Sequence, residues 1–155
     1  MRRAATRLAT IALLGIGIGC GGTQRAPVEQ LPRPVREAAR AHAHGGVVRH
    51  VELDEEDGVT TYELEVVAGE QVRHLSLSPS GELLEEELTV AVTSLPRSVT
   101  DAARRSHPNS RLRSAELVKA GGATYYELKL VDDRARYEIK VTPQGRVIPP
   151  TPQDD

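Results

Sequence analysis

The sequence has few of the side chains that fill large cores. It contains no tryptophan, no phenylalanine and only four tyrosines among its 155 residues. A core made of valine, leucine, isoleucine and alanine is thin, which favours a sheet with small helices laid against it. The net charge of −2 is weak, and no basic stripe with stacking aromatics is present. The composition therefore argues against a nucleic acid partner.

The motifs of nucleophilic catalysis are also missing. There is no Gly-x-Ser-x-Gly turn, and the chain has a single cysteine. Glu63 and Glu65 form a carboxylate pair, but they lie on one face of a predicted strand, without a predicted pocket that would separate their pKa values. We therefore expect a protein that is not an enzyme and that carries no cofactor.

Histidine and acidic clusters are the candidate metal ligands. His42 and His44 stand two residues apart, with His50 and His74 as further candidates, and Asp54–Gly58 is an acidic turn. Two residues apart on a helix points side chains about 200° from each other. The acidic turn lacks the ligand spacing of an EF-hand loop. Solvated helix-end histidines and a solvated turn are therefore the preferred interpretations, and we expect no metal site.

The first 19 residues are typical of an export signal. Three arginines precede an apolar run over about residues 8–18, and small residues follow. Because a membrane-spanning helix needs roughly 20 apolar residues, this run is too short to cross a bilayer. The pattern predicts a signal peptide over residues 1–19.

The only cysteine, Cys20, stands where this signal would end. Its setting resembles the lipobox of bacterial lipoproteins, although Gly17 stands where the family usually has an aliphatic residue. The resemblance implies lipidation of Cys20 and an exported, membrane-anchored protein, at the periplasmic face of the outer membrane in a Gram-negative host. The alternative is a free thiol in a plain signal peptide. Residues 20–30 lack periodicity and predict a flexible tether.

The rest of the chain repeats itself. A shift of 64 residues aligns 31–83 with 95–147 without a gap, and about a third of the pairs are identical. Each copy opens with Leu-Pro-Arg, continues with Tyr-Glu-Leu and closes with Pro-x-Gly, which indicates a tandem duplication. The predicted boundaries are repeat 1 at 31–94, repeat 2 at 95–148 and a disordered tail at 149–155.

Each copy reads as one helix followed by strands. Val35, Ala38, Ala39 and His42 form one helical stripe, and valine or alanine recurs at the first three of these positions in the second copy. Three alternating strands follow, the first with Val51 and Leu53 on one side and Val48, His50 and Glu52 on the other. An additional strand is expected at 84–92. The predicted fold is α+β: two tandem α-β-β-β units that share one antiparallel sheet, with both helices packed on one face.

The pattern Glu-Leu-x(4)-Gly-x(3)-Tyr-Glu-Leu, with the Leu-Pro helix before it and Pro-x-Gly after it, resembles the PepSY-like family. The resemblance includes the two-unit relatives of the β-lactamase-inhibitor-protein type. It implies a secreted or envelope domain without catalytic residues that binds or inhibits another protein. Relatives of the inhibitor type engage their target with the exposed sheet face, but no inhibitory loop can be matched in this sequence.

The two halves carry opposite charge. Residues 31–94 hold 13 acidic and 5 basic side chains, a net charge of −8, whereas residues 95–147 hold 6 acidic and 11 basic ones, a net charge of +5. One interpretation is that the halves attract each other and fix their order in the sheet. The other is a bipolar surface that orients a charged partner.

The sheet face away from the helices is the expected site. Tyr125 stands out there, because an exposed strand tyrosine is a common interface anchor as well as an ordinary strand former. We expect binding of an extracytoplasmic protein such as a peptidase or hydrolase, with inhibition as one outcome. The alternative is a structural or sensory envelope component that binds a small ligand, a metal or a cell-wall polymer. The predicted partner-binding residues are Glu52, Thr61, Glu63, Glu65, His74, Tyr125, Glu127 and Lys129, and His50, Glu116 and Lys140 are expected on the same face.

Overall fold

A computed structural model describes residues 24–25, 27–56 and 58–150. The predicted signal peptide, Cys20 and residues 151–155 lie outside the described residues. The described chain forms one sheet of nine strands whose spatial order is the order of the sequence, and every neighbouring pair is antiparallel. Two helices accompany this sheet, so the predicted α+β fold with one shared antiparallel sheet is confirmed.

The elements follow the predicted order in both copies. The helices and strands are β1 (Gln24–Arg25), α1 (Arg33–His42), β2 (Val47–Glu56), β3 (Val59–Ala68), β4 (Gln71–Leu77), β5 (Leu83–Val90), α2 (Arg97–Ser106), β6 (Arg111–Ala120), β7 (Ala123–Val131), β8 (Arg136–Val141) and β9 (Val147–Ile148). Short 3₁₀ turns at Val28–Gln30 and Val92–Ser94 precede the two helices.

The structural repeat begins earlier than the sequence repeat predicted. Gln24 pairs with Leu53 in β2, and 64 residues later Leu88 pairs with Leu117 in β6. The 3₁₀ turn before α1 has its counterpart before α2 at the same spacing. Residues 24–25 and 28–30, which the sequence places in a flexible tether, therefore form the first elements of repeat 1.

Strand β5 serves both repeats. Its first residues correspond to β9 at the end of repeat 2, and its last residues correspond to β1 at the start of repeat 1. β9 stops after two residues because Pro149 and Pro150 follow, and proline cannot donate a ladder hydrogen bond. Among the described residues, the full-length form of this strand thus occurs at the junction of the two repeats.

Each residue of Leu-Pro-Arg has a different role at the start of its helix. Leu31 is 3% exposed and fills the core, while Pro32 occupies the N-cap with its φ of −52°. Proline suits this position because the first helical N–H groups have no partner within the helix. Arg33 Nε lies 2.7 Å from Glu37 Oε1, one turn along. The second copy repeats the three roles at Leu95, Pro96 and Arg97, with Asp101 as the ion-pair partner.

The two helices lie on the same sheet face, but each covers its own core. Leu83 packs against the first core and Val90 against the second, so the single strand β5 connects them. The sheet is shared between the repeats, as predicted, and each repeat has its own core. The buried residues of the first core are Leu31, Val35, Ala39, Ala43, Val51, Leu64, Val66, Leu75 and Leu77. Those of the second are Leu95, Val99, Ala102, Ala103, Ala115, Leu128, Leu130 and Val141.

One residue of β2, Val48, lies on the opposite face of the sheet from the predicted one. Val48 pairs with Val66 and packs against the first core, although simple alternation places it beside His50 on the outer face. The cause is a bulge: β2 has one more residue than β3 between the Val48 and His50 pairs. The extra residue is Arg49, and the same irregularity recurs around Arg113 in β6.

Pro-x-Gly is a turn that touches the helix of its own repeat. Gly145 has φ of +82°, and a Cβ there would lie 2.5 Å from the Ser98 carbonyl oxygen in the first turn of α2. The Ser98 hydroxyl donates a hydrogen bond of 2.7 Å to the Pro143 carbonyl. Gly81 has the same φ and the same close approach to Pro34. The motif thus recurs because the turn packs backbone to backbone on the helix.

Candidate binding site on the open sheet face

The face of the sheet opposite the helices, here called the open face, carries its polar side chains in rows across the strands. In the central row, His50 pairs with Glu65, Glu65 with His74, and His74 with Glu87. Imidazole and carboxylate therefore alternate over four neighbouring strands. The row continues through Val118 and Tyr125 in repeat 2.

The rows on either side of it are also acidic. One row holds Glu52, Glu63, Ser76 and Glu85 on four successive strands. The Ser76 hydroxyl lies 2.6 Å from both carboxylate oxygens of Glu63 and donates to them. On the other side lie Thr89, Glu116, Glu127 and Lys140. Most carboxylates of this face therefore have other carboxylates as neighbours.

Burial and crowding shift the titration of three glutamates. The pKa of Glu63 is raised because the carboxyl is partly buried, and the nearby Glu87 and Asp54 raise it further. Burial likewise raises the pKa of Glu87, with Glu85 and Glu116 adding to the rise. Burial and the neighbouring Glu138 raise the pKa of Glu127. Ionisation of these three carboxyl groups therefore lowers the free energy of unfolding of the protein.

An apolar side chain, Val118, lies among the polar rows of the open face. Val118 is fully buried although its position in β6 faces away from both helices. Glu87 and Tyr125 flank it on the two neighbouring strands. Tyr125 is half-buried, and Lys140 Nζ lies 5.3 Å from its ring centroid, within range of a cation–π contact. Partial burial raises the pKa of the Tyr125 hydroxyl.

Repeat 2 supplies the two lysines that partly neutralise this face. Lys129 Nζ lies 3.3 Å from Glu116 Oε2, and Lys140 Nζ lies 3.6 Å from Glu127 Oε2. No equivalent lysine exists in repeat 1, where Glu65 and Ser76 occupy the matching positions. The carboxylates of the open face are consequently concentrated on β2, β3 and β5, while β4 between them presents His74 and Ser76.

The strand register places all eight predicted partner-binding residues on the open face. Glu52 and Glu63 are direct cross-strand neighbours, as are Glu65 and His74, whereas Thr61 lies beside Asp54 near the end of its strand. Tyr125, Glu127 and Lys129 alternate along β7. His50, Glu116 and Lys140 lie on the same face, as expected.

Sequence reasoning missed several residues of the open face, among them Glu85, Glu87 and Val118. The signal for the two glutamates was available, because Leu88 and Val90 alternate on the helix side and so place Glu85 and Glu87 outside. Val118 gave no such signal, since alternation predicts a solvated position. Its burial depends on neighbours from two other strands.

The two oppositely charged repeats also form an ion pair with each other on the side of the sheet that faces the helices. Lys119 Nζ of repeat 2 lies 3.0 Å from Glu86 Oε2 of repeat 1, and Arg73 Nε lies 2.9 Å from Glu86 Oε1. This contact supports the interpretation that opposite charges hold the repeats in order. The interpretation as a bipolar binding surface stays a prediction.

The histidines proposed as metal candidates are spread over both sides of the sheet. His42 ends α1 and His44 follows it, while His50 and His74 lie on the open face. Among the described residues, no group of three or more histidine, cysteine, aspartate or glutamate side chains is arranged to hold a metal ion.

None of the helices in the described part of the chain has the length and apolar character needed to cross a bilayer.

Comparison with known proteins gives structural similarity alone. No protein-family model matches the chain, and no curated protein matches it. Among solved structures, a DUF2874 family protein from Bacteroides uniformis aligns with a TM-score of 0.64 and 13% identity, covering 76% of this chain and 86% of that one. A candidate periplasmic protein from Bacteroides eggerthii gives a TM-score of 0.63 and 15% identity, covering 77% and 86%.

A BLIP-like protein from Bacteroides fragilis is similar to the same degree, with a TM-score of 0.61 and 13% identity over 76% of this chain and 83% of that one. None of these three neighbours is described as an enzyme. At such low identity the likeness concerns the fold. This chain therefore has the fold shared by DUF2874 and BLIP-like proteins.

Proposed function

We propose that this chain is a non-catalytic envelope protein that binds another extracytoplasmic protein, such as a peptidase or hydrolase, through its open face. In this proposal the PepSY-like repeats present the face, and lipidated Cys20 holds the protein on a membrane. Inhibition of the bound protein is one outcome. The observation that carries the proposal is the crowding of partly buried carboxylates around Val118 and Tyr125.

Lys129, Lys140 and the Ser76 hydroxyl offset this crowding only in part. Cross-strand pairs of like charge destabilise a sheet, and the raised pKa values of Glu63, Glu87 and Glu127 reflect that cost together with burial. A partner with lysines or arginines at matching positions would neutralise the carboxylates on binding. The half-buried Tyr125 beside Val118 would supply an apolar anchor at the centre of that contact.

The structural neighbours support the proposal at the level of fold and location. One is a BLIP-like protein and one is a candidate periplasmic protein. A sheet open on one face suits recognition of a protein surface, since it offers a broad, rigid array of side chains. A periplasmic location agrees with the export signal expected over residues 1–19.

The test is capture of a partner with residues 21–155, which retain every described residue. The immobilised chain is exposed to solubilised envelope from the source organism, and bound proteins are identified by mass spectrometry. A Tyr125→Ala, Glu63→Lys double variant alters the open face. Glu70→Lys, at the exposed turn between β3 and β4, makes the same charge change as Glu63→Lys away from it.

One protein retained by the wild-type chain and by Glu70→Lys, but lost with the double variant, would support the proposal. Its purified form should then bind with an affinity that falls as salt concentration rises, because charge complementarity is screened. Equal capture by all three chains, or no enriched protein, would contradict binding through the open face. Stabilisation by cell-wall polymer without any protein partner would favour the alternative of a ligand-binding envelope component.

A further inference from the structure

One corner of the open face is basic, in contrast to the acidic rest. It lies at the end of repeat 2 where β6 begins, β7 ends and β8 begins. Four cationic side chains surround it, and we call this group the basic corner: Arg111, Arg113, Lys129 and Arg136. All four are exposed.

The basic corner lines an open cavity of about 760 Å³. Val131 pairs with Arg111 on one side and with Arg136 on the other, so the two arginines flank it on neighbouring strands. Two interstrand spacings of about 4.8 Å separate their backbones, a gap that two arginine side chains can close around a small anion. The volume lies in the range usual for small-molecule sites.

Three arginines of this corner lack an acidic partner in the described part of the chain. Among residues 27–55 and 58–150, no carboxylate lies within ion-pair distance of Arg111, Arg113 or Arg136. Glu138 is the one acidic side chain that lines the cavity, and Lys129 is already paired with Glu116. Three unpaired guanidinium groups therefore face one cavity.

The duplication provides an internal comparison. At the matching corner of repeat 1, Val47 stands in place of Arg111 and Val72 in place of Arg136, while Glu65 replaces Lys129. Of the four matching positions, only Arg49, which corresponds to Arg113, carries a cationic side chain. The same backbone therefore forms the corner without these cations, so the fold does not require them.

We propose that the basic corner binds an anion that carries phosphate groups. Phosphate offers several acceptor oxygens and more than one negative charge, which suits three guanidinium groups better than a single carboxylate does. The phosphate could belong to a membrane lipid headgroup or to a free phosphorylated compound. This inference is independent of the proposed protein partner, because the basic corner and the acidic centre of the open face are altered by different substitutions.

The test measures binding of two soluble probes, inorganic phosphate and tripolyphosphate, to residues 21–155 by calorimetry. Arg111→Ala, Arg136→Ala is the test variant. Arg33→Ala, Arg40→Ala removes the same charge from the exposed side of α1 and serves as its control. We expect tripolyphosphate to bind the wild type and the control alike, and to bind the test variant roughly tenfold more weakly, because two charge-assisted contacts are lost.

A second arm separates the two sources of phosphate. Vesicles of phosphatidylglycerol and of phosphatidylcholine are sedimented with each chain, in low and in high salt. Retention on phosphatidylglycerol alone, lost in the test variant, would identify a lipid headgroup, whereas binding of tripolyphosphate alone would identify a free compound. Absence of both kinds of binding would overturn the inference. An equal loss in the test and control variants would also overturn it, since it would show a response to net charge.

Discussion

At the scale of single residues, the glycines that occur in both repeats have two different structural roles. Gly122 and Gly145 both adopt a positive φ, of 77° and 82°, which side chains other than glycine rarely tolerate. Gly122 lies at an open hairpin tip with nothing within 4 Å of the position of a Cβ. Gly145 instead approaches the Ser98 carbonyl on α2. Substitutions at these two glycines therefore separate the free-energy cost of backbone strain from that of a steric clash.

We predict that Gly145→Ala destabilises the protein more than Gly122→Ala does. Gly122→Ala should cost about 1 kcal/mol, because alanine is strained at a positive φ. Gly145→Ala should cost roughly 2–4 kcal/mol, since the turn must also move away from α2. The free energy of unfolding of each variant, measured by urea denaturation, checks this. Equal losses would show that the contact between turn and helix contributes little.

Glu87 provides a pH-dependent prediction at the same scale. Its folded pKa is raised above the ordinary value of 4.5, and its neighbours on the open face are His74, Glu85, Glu116 and Val118. When the pKa of a carboxyl is higher in the folded state than in the unfolded state, its ionisation destabilises the protein. The free energy of unfolding then falls as the pH rises from the unfolded-state pKa through the folded-state pKa. Glutamine does not ionise, so this loss disappears in Glu87→Gln.

Glu87→Gln should therefore be more stable than the wild type at neutral pH, and the difference should shrink as pH falls toward about 4. Urea denaturation of both chains at a series of pH values measures it. A variant that is less stable than the wild type at neutral pH would show that the Glu87 carboxylate stabilises the sheet.

At the scale of elements, β5 is the strand on which the two repeats depend. Its glutamates alternate between faces: Glu85 and Glu87 lie on the open face, and Glu86 lies on the helix side. Glu86 is 12% exposed and contacts both Arg73 and Lys119. Arg73 is 16% exposed, and its Nε makes no well-aligned hydrogen bond, so the contact with Glu86 is an ion pair.

We predict opposite effects for Glu86→Gln and Glu85→Gln, which make the same chemical change on the same strand. Glu86→Gln should cost roughly 1–3 kcal/mol, because it leaves the largely buried Arg73 without its counter-charge. Glu85→Gln should be neutral or stabilising, since it relieves repulsion with Glu87. Thermal and urea unfolding of both variants check the pair. A similar loss in both would mean that the ion pair to Arg73 adds nothing specific.

At the scale of the whole molecule, two small cores are joined through one sheet. A unit of about 60 residues buries too little surface to be stable with any margin alone. Leu83 and Val90 place the two ends of β5 on different cores, and β5 pairs with both β4 and β6. Loss of either core therefore removes support from the other.

We predict that Leu64→Ala, in the first core, destabilises both repeats. Truncation of a fully buried leucine typically costs about 2–5 kcal/mol, and Leu64 is 1% exposed. Hydrogen exchange followed by mass spectrometry should show weaker protection in β7 and β8 of repeat 2 by the same free energy as in β3 and β4. Leu128→Ala, its counterpart in the second core, should give the mirror result. Unchanged protection in repeat 2 would show that the repeats unfold separately.

The sequence predicted most of the fold because its signals are local and appear twice. Leu-Pro-Arg, the helical valine and alanine stripe and the alternating strands each specify an element within a few residues. The period of 64 residues then required the same order of elements in both copies. The features that escaped include β1, of which two residues are described, and the bulge at Arg49, which no local pattern marks.

The sequence by itself determined the duplication, the α+β class and the face of the sheet on which each predicted binding residue lies, because strand periodicity assigns faces without knowledge of neighbouring strands. Tertiary structure alone decided which side chains share a row. The histidine and glutamate row, the burial of Val118, the ion pairs of Glu86 and the basic corner all join residues from three or more strands. Register between strands sets these contacts, and register is settled by packing across the whole sheet.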